Sequence, residues 1–203
     1  MIKLHHLNQS RSQRVLWLLE ELDLPYEVIR YQRDKTTHLA PPELRAIHPL
    51  GKSPVVEIEG QKITESGAIV EIICARYGPH MMPEQGTEAY IRHLELMHFA
   101  EGSMMTPLLL NLYVGLLGEA GAPLHPRIEQ ELTNHFSYME SLLRPSGHFV
   151  LDELSAVDIM LSFPAGALAR LDQEKEFPNV ASFSKAMRAR PAYQRALIAG
   201  GEG

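Results

Sequence analysis

The chain has 203 residues, 45% of them hydrophobic, enough to bury a sizeable core as one large domain or two small ones. A formal charge of −6 with neutral histidines gives no global basic field, so nucleic acid and anionic membrane surfaces are poor partners. The one cysteine, Cys74, excludes intramolecular disulfides and any Cys-x-x-Cys redox pair.

Met1-Ile2-Lys3-Leu4 leads straight into a strand signal, so no secretory leader is expected. The longest apolar stretch, Pro107 to Gly118, is interrupted by Asn111 and falls short of the roughly 20 residues a membrane span needs. A cytoplasmic protein is the simplest reading. Ile2 to Leu7 reads as a strand. Val15, Leu16, Leu18, Leu19 and Leu22 then form a helical apolar stripe, stopped by Asp23-Leu24-Pro25. Tyr26 to Tyr31 reads as a second strand. The stretch from Arg33 to Pro49 reads as irregular, with a short helix around Pro42 to Ala46. Val55 to Ile58 and Gln61 to Ile63 flank Glu59-Gly60 as a hairpin, and a helix from Glu65 to Tyr77 ends at Gly78-Pro79. The order is βαβ, a long connection, then ββα: a small mixed sheet covered by helices.

Beyond residue 80 strand signals vanish. His80 to Gly86 reads as a linker, with helices near Thr87 to Leu117, Pro126 to Leu143, Ser155 to Leu171 and Val180 to Ala189. Pro107 and Pro164 should each kink or interrupt its helix. The expected organisation is α/β plus all-α, with one domain over 1–79 and an all-helical one over 87–203.

Three segments could carry chemistry. A helix beginning in Asn8 to Arg14 would offer free N–H groups and a positive dipole end to an anion such as a thiolate, with a serine hydroxyl as a further donor. Equally, Ser10 to Gln13 matches a capping box that needs no ligand. Pro54, in Gly51-Lys52-Ser53-Pro54-Val55, should open a strand. A cis Ser53–Pro54 bond would present the Val55 backbone to a peptide-like ligand, and a trans bond would merely start the strand. Thr64-Glu65-Ser66-Gly67 could grip a carboxylate and an ammonium group, or could simply begin a helix.

Taken together, these segments resemble the glutathione transferase family, particularly its theta-like microbial members. The resemblance rests on Ser-Arg-Ser-Gln-Arg-Val-Leu-Trp-Leu-Leu-Glu-Glu-Leu at 10–22, Pro25-Tyr26-Glu27, Pro41-Pro42-Glu43-Leu44, His48 to Val55, and Glu65-Ser66. It continues in Ser155-Ala156-Val157-Asp158, which is similar to the family's N-capping box and serves folding. The resemblance implies a thioredoxin-like first domain and a helical second domain that lines a pocket for an electrophile. It implies glutathione as co-substrate, no metal, a small hydrophobic electrophile, a homodimer and a role in detoxification. It further implies that Pro54 is cis and that Val55 pairs with the cysteinyl part of glutathione. By the same resemblance Glu65 and Ser66 hold the γ-glutamyl end, Lys52 with His38 faces the glycine carboxylate, and Ser53 stands in the binding loop. Ser10 would activate the thiol, with Ser12 as fallback and Arg11 as electrostatic helper.

The reaction expected is conjugation of the glutathione thiolate to electrophiles, or reduction of a peroxide at glutathione's expense. A non-catalytic ligand- or partner-binding protein of the same fold is the alternative, and a glutathione-dependent isomerase would share the same first-domain residues. A disulfide reductase is disfavoured by serine at position 10. The ten histidines include no H-E-x-x-H, and His5 and His6 should point to opposite faces of their strand. Cys74 reads as a packing residue. Met104 and Tyr113 are expected in the electrophile pocket, and Trp17 in the core or at a domain boundary.

Overall fold

Hydrophobic and histidine side chains fill both faces of the first strand, and Ile2–Leu7 forms β1 with every residue but Lys3 buried. A short turn leads into α1 (Ser12–Glu21), whose Val15 to Leu19 are fully buried. β2 (Tyr26–Tyr31) returns parallel to β1, with Ile2 opposite Tyr26 and Leu7 opposite Tyr31. After the short α2 (Glu43–Ile47), β3 (Val55–Ile58) and β4 (Gln61–Ile63) form the hairpin. Its turn residues Glu59 and Gly60 have φ of 53° and 80°, the positive values a tight two-residue turn requires. α3 (Ser66–Tyr77) follows. The sheet order is β2-β1-β3-β4, antiparallel between β1 and β3 and between β3 and β4. This is the thioredoxin-like arrangement expected of the first domain.

The computed structural model describes residues 1–202. After a 3-10 turn at Pro79–Met81 the chain is helical: α4 (Glu88–Gly102), α5 (Met105–Gly115), α6 (His125–Leu142), α7 (Ala156–Ala165), α8 (Leu168–Leu171), α9 (Pro178–Arg188) and α10 (Pro191–Gly200). The long helix expected over Thr87 to Leu117 breaks at Ser103–Met104, because Pro107 has no N–H to return to Ser103 and crowds its carbonyl. The helix expected over Ser155 to Leu171 divides after Ala165, with Pro164 in its last turn and Gly166 just beyond.

Two compact units result. One spans His80–Ala186, where α4 packs on α7 and α5 on α6 around Leu96, Ala100, Phe136, Met139, Ile159 and Met160. In this unit the capping box is present in full: Ser155 Oγ accepts from the Asp158 N–H, and the buried Asp158 carboxylate accepts from the Ser155 N–H at 2.7 Å. The other unit is residues 1–79 together with the end of the chain from Met187.

That last assignment differs from the all-helical domain expected over 87–203. α10 packs on α1: Tyr193 meets Trp17 edge-on with centroids 5.2 Å apart, and Arg195 Nε donates to Glu20 at 2.8 Å. Arg190 Nε donates to Glu21, which also accepts from the Trp17 indole at 2.9 Å. Trp17 is therefore a core residue of the first unit. No helix was expected over Pro191 to Gly200, but proline is tolerated at N1, where its missing N–H would have no partner anyway.

Candidate functional site

The sheet register brings the three chemical segments to one end. The ends of β1 and β2 lie side by side at Leu7 and Tyr31, β3 begins at Val55 opposite His5, and β4 ends at Ile63 opposite Val56. The Asn8–Ser12 turn, the 51–54 loop and the start of α3 thus emerge at the same edge. Arg33, just past β2, braces the turn: its N–H donates to Asn8 Oδ1 at 2.8 Å and its Nε to Asn8 O at 3.2 Å. The turn reverses at Gln9, which has a φ of 50°.

Ser10 and Gln13 do not form the expected capping box. The N-cap position is Arg11, with no side-chain cap, and Gln13 N–H bonds to the Ser10 carbonyl rather than to its hydroxyl. The two hydroxyls instead face each other, Oγ to Oγ, at 2.8 Å. Ser12 Oγ is fully engaged: it accepts from Leu7 N–H at 3.2 Å, lies 3.2 Å from Leu7 O, and sits 2.9 Å from His6 Nδ1. Ser10 also accepts from the Ser12 N–H at 3.3 Å and is 7% exposed, whereas Ser12 is fully buried. Of the two serines, Ser10 is the one with access. Behind them, His6 is fully buried and its Nε2 lies 3.5 Å from the Glu202 carboxylate. Burial raises the Glu202 carboxyl, but its contact with His6 and the bond from Gln9 N–H outweigh this and hold it below its ordinary value.

The 51–54 loop is tied to the same strand. The Ser53–Pro54 bond is cis. Ser53 Oγ donates to His5 O at 2.8 Å and accepts from Leu7 N–H at 3.2 Å, so its proton is already used within the protein. Pro54 and Val55 are buried, while Lys52 is exposed. At the start of α3, Glu65 is exposed and holds φ 67°, ψ 117°, outside the left-handed helical well. Ser66 is 4% exposed, and the first-turn N–H groups of α3 have no intrahelical acceptor, which favours an anion here. His38 is exposed with φ 55°. It ends a loop organised by Asp34, whose carboxyl is lowered by hydrogen bonds from the Thr37 N–H and hydroxyl and the Thr36 N–H. Arg11 is half-buried at the head of α1.

Other candidates fall elsewhere. His5 lies on the opposite sheet face from His6, between Tyr31 OH and Glu57, each at 2.9 Å. Cys74 is fully buried, and burial pushes its thiol up to about 12, so it is no nucleophile. In the helical unit Met104 is fully buried and Tyr113 is 57% exposed. Among the described residues no group of three His, Cys, Asp or Glu side chains is placed to hold a metal, and no helix is long and apolar enough to cross a membrane. The His6–Glu202 arrangement was missed in the sequence. His6 carries a signal only as a polar residue on an apolar strand, and Glu202 carries none, being 196 residues away along the chain (202 − 6).

Comparison with known proteins covers both units. Residues 1–74 match the glutathione S-transferase N-terminal domain and residues 86–191 the C-terminal domain. Glutathione S-transferase 3 of Schizosaccharomyces pombe is 33% identical over 208 residues, spanning 95% of this chain and 85% of the relative. Glutathione S-transferase 1 of Saccharomyces cerevisiae is 29% identical over 95% of this chain and 92% of its own. The solved structure of a glutathione S-transferase from Actinobacillus pleuropneumoniae superposes with a TM-score of 0.90 at 31% identity, covering 100% of this chain and 94% of that one.

Proposed function

This chain belongs to the glutathione S-transferase family, and we propose that it binds glutathione at the sheet end described above and transfers its thiolate to a small hydrophobic electrophile. The observation that carries the reading is the Ser10 hydroxyl, held at the head of α1 by the Ser12 N–H and by contact with the Ser12 hydroxyl at 2.8 Å. Glu65 and Ser66 would hold the γ-glutamyl ammonium and carboxylate, the Val55 backbone the cysteinyl portion, and Lys52 with His38 the glycine carboxylate. Ser53 would act by fixing the cis-Pro54 loop to β1, since its hydroxyl is already engaged. Arg11 would add positive charge beside the thiolate.

The energetics close. A thiol titrates near about 8.5, and lowering it by about two units needs roughly 2.7 kcal/mol. One charge-assisted hydrogen bond supplies about 1.5–3 kcal/mol, and a helix N-terminus about 0.3–1 kcal/mol more. Reduction of a peroxide by the same thiolate is the companion activity. A homodimer, as the resemblance implies, is checked by sedimentation. A cytoplasmic setting fits a protein that uses reduced glutathione and keeps a free thiol.

Steady-state conjugation of glutathione to an activated aryl halide tests the assignment. Ser10→Ala should lower kcat by about 100-fold or more, as loss of one donor to a developing anion does, with a smaller effect on the KM for glutathione. Glu65→Ala should do the reverse. Wild-type turnover retained by Ser10→Ala would remove Ser10 from the mechanism.

A further inference from the structure

Ser10, Ser12 and His6 form a buried chain that ends at the half-buried Glu202: 2.8 Å between the hydroxyls, 2.9 Å from Ser12 Oγ to His6 Nδ1, and 3.5 Å from His6 Nε2 to Glu202. Each serine has one proton to give and two lone pairs to fill, so whether His6 Nδ1 carries a proton biases the direction of the chain, with the Leu7 carbonyl at 3.2 Å as the other acceptor open to the Ser12 proton. With His6 neutral and its proton on Nε2 towards Glu202, Nδ1 must accept from Ser12. Ser12 then accepts from Leu7 N–H and from Ser10, and Ser10 has no proton left for a ligand. With His6 doubly protonated, Nδ1–H donates to Ser12, Ser12 donates to Ser10, and the Ser10 proton is free to point outward. Of these two states, the second is the one that offers a donor to a thiolate.

Resting on the reading of Ser10 as the thiol-facing group, we propose that His6 is the internal acceptor of the glutathione thiol proton, reached through Ser10 and Ser12 and matched by the Glu202 carboxylate. The step balances. The S–H bond breaks as its proton passes to Ser10 Oγ, the Ser10 hydroxyl proton passes to Ser12 Oγ, and the Ser12 hydroxyl proton passes to His6 Nδ1. Sulfur ends as thiolate, His6 as imidazolium, and both hydroxyls are restored with their direction reversed. His6 is a positioning residue: it never touches substrate, but it determines whether Ser10 can donate.

The surroundings suit this role. Leu16 of α1 and the backbone of Gly200 close over the ring; a Cβ on Gly200 would come within 2.9 Å of His6 Nε2. The charged groups facing it are Glu202 from the chain's end and Arg30, its register partner on β2, whose Nε donates to Ala199 O. On β3 the facing positions continue into Pro54 and add no charge. A proton held on His6 is thus kept from bulk water beside its counter-charge.

The test compares two quantities as glutathione is titrated into the full-length protein near neutral pH: thiolate formed, from its ultraviolet absorbance, and protons released, from an indicator dye in weak buffer. Wild type should release fewer protons than thiolates formed, because His6 retains them. His6→Asn keeps a donor amide where Nδ1 stands but cannot take up a proton, so release should rise to one per thiolate and less thiolate should form. Glu202→Gln, at the half-buried end of the chain, leaves the core intact and should shift the ratio in the same direction. One-to-one release in wild type, or a ratio unmoved by both variants, would overturn the relay while leaving Ser10 in place. Absence of thiolate in wild type would overturn the functional reading itself and the relay with it.

Discussion

Replacing Asp158 by alanine should be among the most destabilising single changes in the helical unit, for reasons that can be counted. The side chain is fully buried, and its carboxylate accepts from Phe149 N–H at 3.0 Å, Ser155 N–H at 2.7 Å and Ser155 Oγ at 2.8 Å, with His148 Nδ1 at 3.2 Å. One residue therefore ties the 148–149 segment to the first turn of α7. Asp158→Ala leaves two buried N–H donors without acceptors, each costing about 1–3 kcal/mol, and we expect a total loss of about 3–5 kcal/mol. For a chain of this size that lowers Tm by about 6–20 °C. Ser155→Ala removes the acceptor for the Asp158 N–H and one donor to the Asp158 carboxylate but leaves both N–H bonds to that carboxylate, and should cost about 0.5–2 kcal/mol. Asp158→Asn should fall between them, because its amide nitrogen must face one of the two N–H groups. Urea unfolding followed by circular dichroism, checked by thermal scans, measures all three. Asp158→Ala within about 1 kcal/mol of wild type, or less damaging than Ser155→Ala, would refute the reasoning.

Two other perturbations follow from the packing. Burial raises the Glu21 carboxyl, but hydrogen bonds from Arg190 and Trp17 and the nearby charges of Arg190 and Arg195 outweigh it, holding the group below its ordinary 4.5. A depressed carboxylate contributes stability that is present above pH 4.5 and lost as pH falls through the lower folded value. Glu21→Gln should therefore flatten that part of the acid limb in stability measured against pH; an unchanged limb would count against the contact. Gly121 would set a Cβ 2.5 Å from the Val114 carbonyl oxygen, a backbone atom that cannot swing aside. Gly121→Ala should lower stability by about 1–3 kcal/mol, and a neutral result in urea unfolding would show that this turn can move.

The sequence carried most of the first unit because its signals are local. The strand at Ile2–Leu7, the stripe through Leu19, and the Glu59-Gly60 turn each announce themselves within a few residues. Pro107 and Pro164 likewise marked real breaks. What failed was non-local. α10 begins with a proline and ends in glycines, and its tertiary partner α1 lies some 170 residues earlier, so nothing nearby says that it returns to the first unit. The pattern Ser-x-x-Gln at Ser10 promised a cap, yet His6 and Leu7 from the adjoining strand drew Ser12 inward and the helix began without one. Ser53 has the composition of a ligand contact, but its hydroxyl is consumed by β1. Hydrogen-bond partners across a sheet edge are invisible until the register is known.

The measurement that bears most directly on the central claim is the pKa of glutathione's thiol bound to the protein, followed by thiolate absorbance against pH in wild type and Ser10→Ala. Wild type should give a value near about 6 to 7, returning towards about 8.5 in the mutant with glutathione still bound. A bound thiol that titrates near about 8.5 in wild type, or a lowered value that Ser10→Ala leaves in place, would contradict it.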